Sequence, residues 1–561
     1  MTNRIQYRRD NAAGWTAANP VLANGEPGYE TDTKKRKIGD GTTAWTALGY
    51  QAADEATLKT IYAPVINLPW GPKVCATGDS KVATNVDQPN NVYGDSWLTH
   101  LWLASDGDLD APNNAGHGGY TSTQLAALFA TEVFGDIRGT PNVVIEDMGT
   151  NDTLDGSNTA SVTIANLSNL LTRCRAAGSA LVITTLTPSG MAALGTPAAP
   201  TVTVVATGGT FGVVSPQYRV TAVNGGGVGA TMAGAAVTAT ISSGSTNSVV
   251  IEAPFVAGAT GYGFYRSDDG GSTWGLIGTT AATGASWVPV RTFTDTNITK
   301  GATVPASDTT AVALTTTARQ KILTINAAKK RFAAQNGLVC IDFYSQTTDP
   351  ATGMWKTGFT RDGTHPTPTT SKVLGQYAWA KLASYFRRRP PISSMDNADP
   401  LNVYPSSTPN GLHLTGSGTA PTGWGPSVPA GGTSARAART GHNGNAFVHT
   451  RTTWATNLGQ GPWFTTIPGH VYAVSMCAEL VGGDTNGATG GFGFKWHNGS
   501  GPAYAAKVLI ASDFGPSRIQ AIVTCPTGAT QLEPLNDFGP GEGTGAISQV
   551  WCVDLTAAGL T

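Results

Sequence analysis

Apolar and polar positions follow two different patterns along this chain, and each pattern predicts a different kind of structure. In residues 63–194 and 310–390, short apolar runs alternate with segments that carry apolar residues at helical spacing. The runs "NVVIED", "ALVITTL" and "LVCIDFY" are predicted strands, whereas "TIANLSNLLTRCRAAG" and "SKVLGQYAWAKLASYF" are predicted helices. Strands and helices that alternate in this order predict a parallel sheet covered by helices on both faces.

Residues 195–309, which separate these two parts, show a period of two instead. In "PQYRVTAVN", "NSVVIEAP" and "GYGFYRSDDGGSTW", apolar residues alternate with polar ones, as in half-buried strands. We expect an inserted all-β sandwich that resembles a fibronectin type III domain and leaves from a surface loop. Residues 391–561, after the predicted linker "RRRPP", also lack long helical patterns and predict a C-terminal β-sandwich or jelly roll, a kind of module that can bind carbohydrate.

Residues 1–62 form a separate unit in which glycines punctuate short strand candidates, with "KIGDGTTAW" as a predicted hairpin. The segments "YRRD", "GEPGYETDT" and "KIGDGTTAW" resemble the N-terminal domain of phage tail-fibre proteins of the major tropism determinant type. The resemblance implies a virion-attached protein and a homotrimer. In that case residues 1–62 attach the chain to phage tail or baseplate proteins and contribute to trimerisation.

Composition narrows the classes of partner. The chain has 561 residues, of which 13% are charged, and its formal net charge is −1. This balance lacks the clustered positive charge of a nucleic-acid-binding protein. No apolar run reaches the roughly 18 residues of a membrane-spanning helix, and "MTNRIQYRRDN" has no apolar segment of a secretory signal peptide, so we expect no membrane insertion. The six cysteines include no CxxC pair, and a disulfide among Cys477, Cys525 and Cys552 stays an open alternative.

Polar motifs in the predicted α/β part supply the groups that a serine hydrolase needs, which are a nucleophile, a base and donors to an oxyanion. The run "VCATGDS" ends at Ser80, and "DGTH" places Asp362 three residues before His365, close enough for the carboxylate to orient the imidazole. The loop "GTND" supplies the amide of Asn151, and "NNAGHGGYTS" supplies flexible glycine backbone. Because these segments follow predicted strands, we expect them at the carboxyl edge of the sheet.

The four motifs GDS, NAGHGGYT, GTND and DGTH, in this order, resemble the four sequence blocks of the SGNH (GDSL-type) hydrolases. The resemblance implies a flavodoxin-like, three-layer α/β fold that needs no cofactor and no metal. It implies Ser80 as nucleophile, with Asp362 and His365 completing the triad. It further implies an oxyanion hole formed by the backbone N–H groups of Ser80 and Gly119 and the amide of Asn151. One position departs from the pattern, because a lysine, at position 81, replaces the usual aliphatic residue after the serine.

The tripeptide Gly-Asp-Ser occurs a second time and offers Ser96 as an alternative nucleophile. Ser80 leaves room for a loop, a helix and a second strand before Gly119, whereas the interval after Ser96 is short for those elements. The segment "WLTHLWLA" that follows Ser96 is a predicted helix, for which Asp95 or Ser96 is a suitable N-cap. We therefore predict that Ser80 is the nucleophile.

Other polar and aromatic residues have a structural and a functional interpretation. His117, beside the oxyanion glycine, could line the site or be a turn residue. The run Asp106–Asp110 resembles the start of a calcium loop but lacks its later glycine and glutamate, so no metal site is expected there. Four C-terminal tryptophans could stack on sugar rings or fill a core: Trp424, Trp454, Trp463 and Trp496.

Taken together, the sequence predicts a phage tail-fibre or tailspike protein with an SGNH esterase body, located on the virion and acting at the host cell surface. The expected reaction is removal of acetyl or other acyl groups from a surface polysaccharide of the host. Two alternatives stay open. One is a non-catalytic receptor-binding fibre, and the other is a hydrolase of lipid or cell-wall esters.

Overall fold

The two apolar patterns in the sequence correspond to two kinds of sheet in the structure, which is a computed structural model. It describes residues 8–24, 26–33, 35–48, 72–83, 92–135, 139–155, 158–225, 229–281, 289–386, 418–427, 432–442, 444–451, 457–461, 463–483, 490–497, 502–510, 512–538 and 541–558. The predicted linker "RRRPP" and the predicted boundaries at 62/63 and 390/391 lie outside these residues.

The N-terminal region contains a small three-stranded sheet and one short helix. Their bounds are β1 Arg8–Asp10, α1 Ala12–Ala18, β2 Pro27–Glu30 and β3 Arg36–Ile38. Trp15 and Trp45 stack with ring centroids 4.1 Å apart and form a core with Leu22. The segment "KIGDGTTAW" is a turn instead of the predicted hairpin, because its two arms pair with different segments, Ile38 with Pro27 and Ala44 with Val21.

A five-stranded parallel sheet forms the α/β part, as the alternating pattern predicts. Its elements before the insertion are β4 Val74–Gly78, α2 Ser80–Ala83, β5 Val92–Tyr93, α3 Trp97–Ala104, β6 Asn113–Gly116, α4 Ser122–Leu128, β7 Val143–Asp147, α5 Thr150–Leu154, α6 Ala160–Ala177 and β8 Ala180–Thr184. Helix α4 is followed directly by one π-helical turn, Phe129–Val133. Strand β5 is not part of this sheet.

The region between β8 and the second α/β segment contains two antiparallel sheets. The four-stranded sheet has the order β11-β10-β13-β14 and the three-stranded sheet has the order β15-β12-β9. The strands are β9 Thr201–Val205, β10 Gln217–Val223, β11 Val237–Thr238, β12 Ser248–Glu252, β13 Gly261–Ser267, β14 Gly275–Ala281 and β15 Thr292–Asp295. Both sheets bury side chains in one core, for example Val220 and Phe264 from one and Ile251 from the other. The likeness of this region to a fibronectin type III domain stays a prediction.

The second α/β segment completes the parallel sheet and its helical layers. It contains α7 Thr316–Asn336, β16 Val339–Ile341, α8 Phe343–Thr347 and α9 Pro368–Leu382. The strand order is β16-β8-β7-β4-β6. Successive residues of β4 point to opposite faces, so that Val74 is in the same core as α3 and α9, whereas Cys75 is in the core with α4, α6 and α7. The sheet therefore lies between two helical layers.

The C-terminal region is built from two further sheets, of seven and five strands. Its strands are β17 Gly425–Ser427, β18 Gly432–Ala438, β19 Asn445–Arg451, β20 Asn457–Gln460, β21 Phe464–Thr465, β22 Val471–Val481, β23 Gly490–His497, β24 Pro502–Ile510, β25 Phe514–Thr524, β26 Gln531–Phe538 and β27 Gly543–Asp554. Strand β5 joins the larger sheet by pairing in parallel with β24. The core of this region is continuous with that of α3 and α9.

The structure bears on two alternatives that the sequence left open, a C-terminal disulfide and the role of the tryptophans. Cys477, Cys525 and Cys552 are buried, and in the described part of the chain no disulfide joins them. Trp424 and Trp496 belong to the C-terminal core, whereas Trp463 is 48% exposed. Trp454 lies outside the described residues.

Among the helices of the described ranges, none has the length and apolar content that crossing a membrane requires.

Candidate active site

The candidate nucleophile lies in a tight turn at the carboxyl end of the buried strand β4. Only glycine fits at Gly78, because a Cβ atom there would lie 2.6 Å from the carbonyl oxygen of Asp147. The next residue, Asp79, is fully buried and donates its backbone N–H to the same oxygen (3.4 Å). Ser80 begins α2 and is only partly buried, so its hydroxyl can be reached from outside the sheet.

The loop before α9 brings an imidazole and a carboxylate to this serine. His365 Nε2 lies 2.7 Å from Ser80 Oγ, and His365 Nδ1 lies 2.6 Å from Asp362 Oδ2. The other carboxylate oxygen, Oδ1, accepts the backbone N–H groups of Thr364 (2.8 Å) and His365 (2.7 Å). The three side chains therefore form one hydrogen-bonded series, in which the turn itself orients the carboxylate.

The surroundings of Asp362 keep its carboxyl group negatively charged beside the imidazole. Burial acts to raise the pKa of this carboxyl, but the hydrogen bond and charge of His365 and the backbone N–H groups of the turn outweigh it. The pKa of Asp362 is lowered to about 2 as a result. The carboxylate is therefore ionised over the whole pH range in which esterases are usually assayed, and it can stabilise a positively charged imidazole.

The predicted oxyanion donors lie on the turns that follow β6 and β7, the two strands that flank β4 in the sheet. Asn151 is in the first turn of α5, and its Nδ2 donates to the carbonyl oxygen of Tyr120 (2.9 Å). Since a side-chain amide carries two hydrogens, a second one is available for a ligand. Gly119 has a φ of +79°, and a Cβ atom there would meet no atom within 4 Å, so the space beside it is open.

A network around Asp152 fixes the helix that carries Asn151. Asp152 Oδ1 accepts the backbone N–H of Ser122 (2.8 Å), and Oδ2 accepts the hydroxyls of Ser122 (2.5 Å) and Thr163 (2.6 Å). These bonds connect α5 to α4 and α6. The Asp of the GTND motif thus has a structural role, which the motif itself did not indicate.

The structure gives the other sequence candidates different environments. Ser96 occupies the N-cap position of α3, as predicted, and is buried, while Asp95 faces His100 (Oδ1 to Nε2 3.4 Å). His117 Nε2 lies 2.5 Å from Glu132 Oε2, and its ring stacks on Tyr120. His117 is therefore engaged beside the candidate oxyanion turn, and its hydrogen-bond partner is an acid that the sequence did not single out.

The inserted sheets contact the loop that carries Asp362, which the sequence did not indicate. The backbone N–H of Gly225 donates to the carbonyl oxygen of Arg361 (2.8 Å), and Gly258 lies against Thr360. Burial lowers the pKa of the Arg361 guanidinium to about 10, with Asp362 acting in the opposite direction. A cavity of about 300 Å³ lies along this contact, and its lining includes Phe255, Pro289, Phe359, Arg361, Thr370 and Val373.

The described residues contain no cluster of side chains suited to a metal ion. Among them, no group of three or more His, Cys, Asp or Glu side chains could hold a metal ion. The carboxylates of the former calcium-loop candidate accept backbone N–H groups of β25 instead, with Asp106 bonded to Arg518 (3.0 Å) and Asp110 to Ile522 (2.9 Å).

Comparison with known proteins confirms the resemblance at the N-terminus. Residues 5–43 match the family model described as the major tropism determinant N-terminal domain. No curated protein sequence matches the chain.

Solved structures that match parts of this chain include hydrolases and a phage tailspike domain. A GDSL-like lipase from Bacteroides thetaiotaomicron is 15% identical, with 59% of this chain and 98% of that chain covered and a TM-score of 0.27. A mutant of an acetyl-xylooligosaccharide esterase from Geobacillus is 11% identical, with 58% and 100% covered and a TM-score of 0.29. The enzymatically active domain of tailspike protein 4 from bacteriophage CBA120 is 17% identical, with 27% and 21% covered and a TM-score of 0.21. Because these TM-scores are low, function is inferred from the geometry of the site.

Proposed function

We propose that this protein is a serine esterase of a phage tail, which removes acetyl or other acyl groups from a surface polysaccharide of the host. The observation that carries the esterase activity is the series Asp362–His365–Ser80, with distances of 2.6 and 2.7 Å. A serine hydroxyl is a weak nucleophile unless a base takes its proton, and this geometry supplies the base. Location on the virion is supported by the family match of residues 5–43.

The proposed reaction proceeds through an acyl-enzyme. Ser80 Oγ attacks the ester carbonyl carbon while His365 Nε2 takes the hydroxyl proton, and Asp362 stabilises the resulting imidazolium. The carbonyl oxygen becomes an oxyanion, to which the N–H groups of Ser80 and Gly119 and the amide of Asn151 donate. His365 then gives the proton to the departing sugar oxygen, which leaves as a hydroxyl group. A water molecule, deprotonated by His365, releases the acyl group as a carboxylic acid and restores Ser80.

The C-terminal sheets are proposed to bind the same polysaccharide, and Trp463 is the residue that supports this role. The indole is 48% exposed, and one face stacks on His497 with ring centroids 3.9 Å apart. His497 is in turn held by the buried Glu533 (Nε2 to Oε2 2.7 Å). A fixed ring of this kind suits the C–H face of a sugar, since the π-face of an aromatic ring carries partial negative charge. Trp463→Ala should weaken co-sedimentation of the protein with the polysaccharide and leave hydrolysis of a small acetyl ester unchanged. If the variant co-sediments as well as the wild-type protein, Trp463 does not bind the polysaccharide.

The esterase proposal is tested by two matched serine substitutions. Ser80→Ala should abolish acetate release from p-nitrophenyl acetate and from purified host polysaccharide, because it removes the attacking oxygen. Ser96→Ala, in the second Gly-Asp-Ser, should retain most of the activity. Circular dichroism checks that both variants are folded. If the Ser96 change removes activity in a folded protein and the Ser80 change does not, the proposed nucleophile is wrong.

Two alternative functions predict other results in the same assay. A receptor-binding fibre without catalysis would bind the polysaccharide and release no acetate from either substrate. A lipid or cell-wall ester hydrolase would show kcat/KM rising steeply with acyl length among p-nitrophenyl esters, while acetate release from the polysaccharide would be absent.

A further inference from the structure

The residue after Ser80 is a lysine, and its whole side chain is buried beneath the candidate active site. The Lys81 side chain is only 2% exposed. Lysine is almost never fully buried unless it is paired, because an ammonium group loses its hydration inside a protein. The usual aliphatic residue of the SGNH pattern could fill the same space without that cost. The partners of the ammonium group therefore indicate what it contributes.

These partners belong to two segments that carry different parts of the site. Lys81 Nζ lies 3.6 Å from Oδ1 of Asp79, the residue directly before Ser80. The same atom donates a hydrogen bond to the Oγ1 of Thr150, the residue directly before Asn151. The two segments follow β4 and β7, which are adjacent parallel strands. One side chain thus joins the nucleophile turn to the turn of the candidate oxyanion donor.

The positive charge of Lys81 also matches the negative charge around it. Asp79 and Asp147 are both buried. Burial raises the pKa of Asp147, Lys81 acts to lower it, and Asp79 acts to raise it further. Asp147 in addition accepts hydrogen bonds from Trp97 Nε1 (3.1 Å) and Thr184 Oγ1 (3.1 Å). The ammonium group is consequently held by charge on one side and by the threonine hydroxyl on the other.

We infer that Lys81 is a positioning residue that holds Asn151 in register with Ser80 through the hydroxyl of Thr150. The inference rests on the proposed esterase function. An oxyanion donor acts only when it lies about 2.7–3.1 Å from the developing charge, so the spacing between nucleophile and donor is critical. The bond from Asn151 Nδ2 to the Tyr120 carbonyl fixes the amide, whereas Lys81 and Thr150 fix the backbone that carries it. An aliphatic side chain could not make the second connection.

The test uses p-nitrophenyl acetate with full-length variants. Thr150→Val removes the acceptor hydroxyl and keeps the size of the side chain and all charges. It should lower kcat roughly 10- to 100-fold and change KM less than about threefold, since a donor displaced by a fraction of an ångström loses transition-state contacts. Thr153→Val is the matched control, because Thr153 lies on the same helix and its hydroxyl bonds only to the Thr150 carbonyl among the contacts described. This control should keep the wild-type kcat.

A double-mutant cycle separates positioning from a general loss of stability. If Lys81 and Thr150 act through Asn151, then Thr150→Val should cost less than about twofold once Asn151→Ala is present. If the Lys81→Met protein folds, it should lose kcat to the same extent as Thr150→Val. If it does not fold, Thr150→Val alone tests the inference. A wild-type kcat for Thr150→Val, or a full additional loss in the Asn151→Ala background, would overturn the inference. An inactive wild-type protein would instead overturn the esterase proposal.

Discussion

At the scale of the residue, the side chains of Asp362 and Asn151 are held by hydrogen bonds to backbone groups of the turns. Ser80 and His365 are 285 positions apart, yet Asp362 is oriented entirely within its own loop by the N–H groups of Thr364 and His365. Asn151 is likewise fixed by one carbonyl group on the neighbouring turn. Such groups do not have to reorganise when charge develops in the transition state, which is the condition under which an oxyanion donor is most effective.

Removal of the Asn151 amide measures this contribution. Asn151→Ala should lower kcat roughly 10²–10³-fold, or about 3–4 kcal/mol, and change KM little, because the oxyanion exists only in the transition state. Asn169→Ala provides a control, since Asn169 lies exposed on α6. Steady-state kinetics on a soluble acetyl ester give both constants. A loss that appears mainly in KM would show that Asn151 binds the substrate instead.

Sequence motifs identified the candidate residues but not the groups that surround them. Ser80, Asp362 and His365 could be selected because their spacing within short motifs is a local property. The partner of Lys81 could not be selected, since Thr150 lies 69 positions away and only the adjacency of β4 and β7 brings the two together. The same limit applies to Trp463, whose exposure depends on strands far along the chain.

At the scale of the element, the inserted sheets support the loop of Asp362 from one side. A Cβ atom on Gly225, just after β10, would lie 2.3 Å from the Cβ of Asp362. The segments that lead into and out of the insertion are joined by an antiparallel bridge between Met191 and Val312. The first of these segments also contacts the loop of Asp362, because Gly190 donates its N–H to the Gly363 carbonyl (2.9 Å). The insertion therefore bears on the position of Asp362, although the period-two pattern alone suggested only a module on a surface loop.

Because of this contact, adding a single methyl group at Gly225 in the insertion should affect kcat. Gly225→Ala should displace the loop that carries Asp362 and lower kcat roughly 10- to 100-fold, since a shift of about 1 Å at a catalytic group can cost that much. Gly212→Ala is the matched control, because a Cβ atom at Gly212 would meet nothing within 4 Å. Kinetics and thermal unfolding should be measured together. An unchanged kcat in a folded Gly225→Ala protein would mean that the loop does not depend on this contact.

At the scale of the whole molecule, the C-terminal sheets share one continuous core with α3 and α9 of the α/β part. Strand β5 pairs with β24, and Asp106 and Asp110 bond to the edge of β25. The two aspartate bonds each join residues 412 positions apart, for which local patterns carry no information. The apolar runs that alternate with helical segments were sufficient to predict the parallel sheet. A strand that is buried on both faces consists almost entirely of apolar residues, so its own sequence shows its burial.

The described core of the N-terminal region is small, and this bears on assembly. Its described core consists of Trp15, Leu22 and Trp45, while Val21 is half exposed. A unit of about 60 residues buries only about 60% of the surface that its unfolded chain exposes, so association is a common source of additional stability. A trimer would also present three esterase sites to one surface and raise the avidity for a weakly bound glycan. These considerations favour threefold association through the region that matches the tail-related family.

We therefore predict a homotrimer in solution whose contacts include residues 1–62. Light scattering on the full-length protein at micromolar concentration should give three times the chain mass of 57.6 kDa. A chain that starts at Ile61 should be monomeric and should retain hydrolysis of a small acetyl ester, because each proposed site is complete within one chain. A monomeric full-length protein would contradict the prediction. A truncated chain that is still trimeric would assign the contacts to the α/β part, the insertion or the C-terminal sheets.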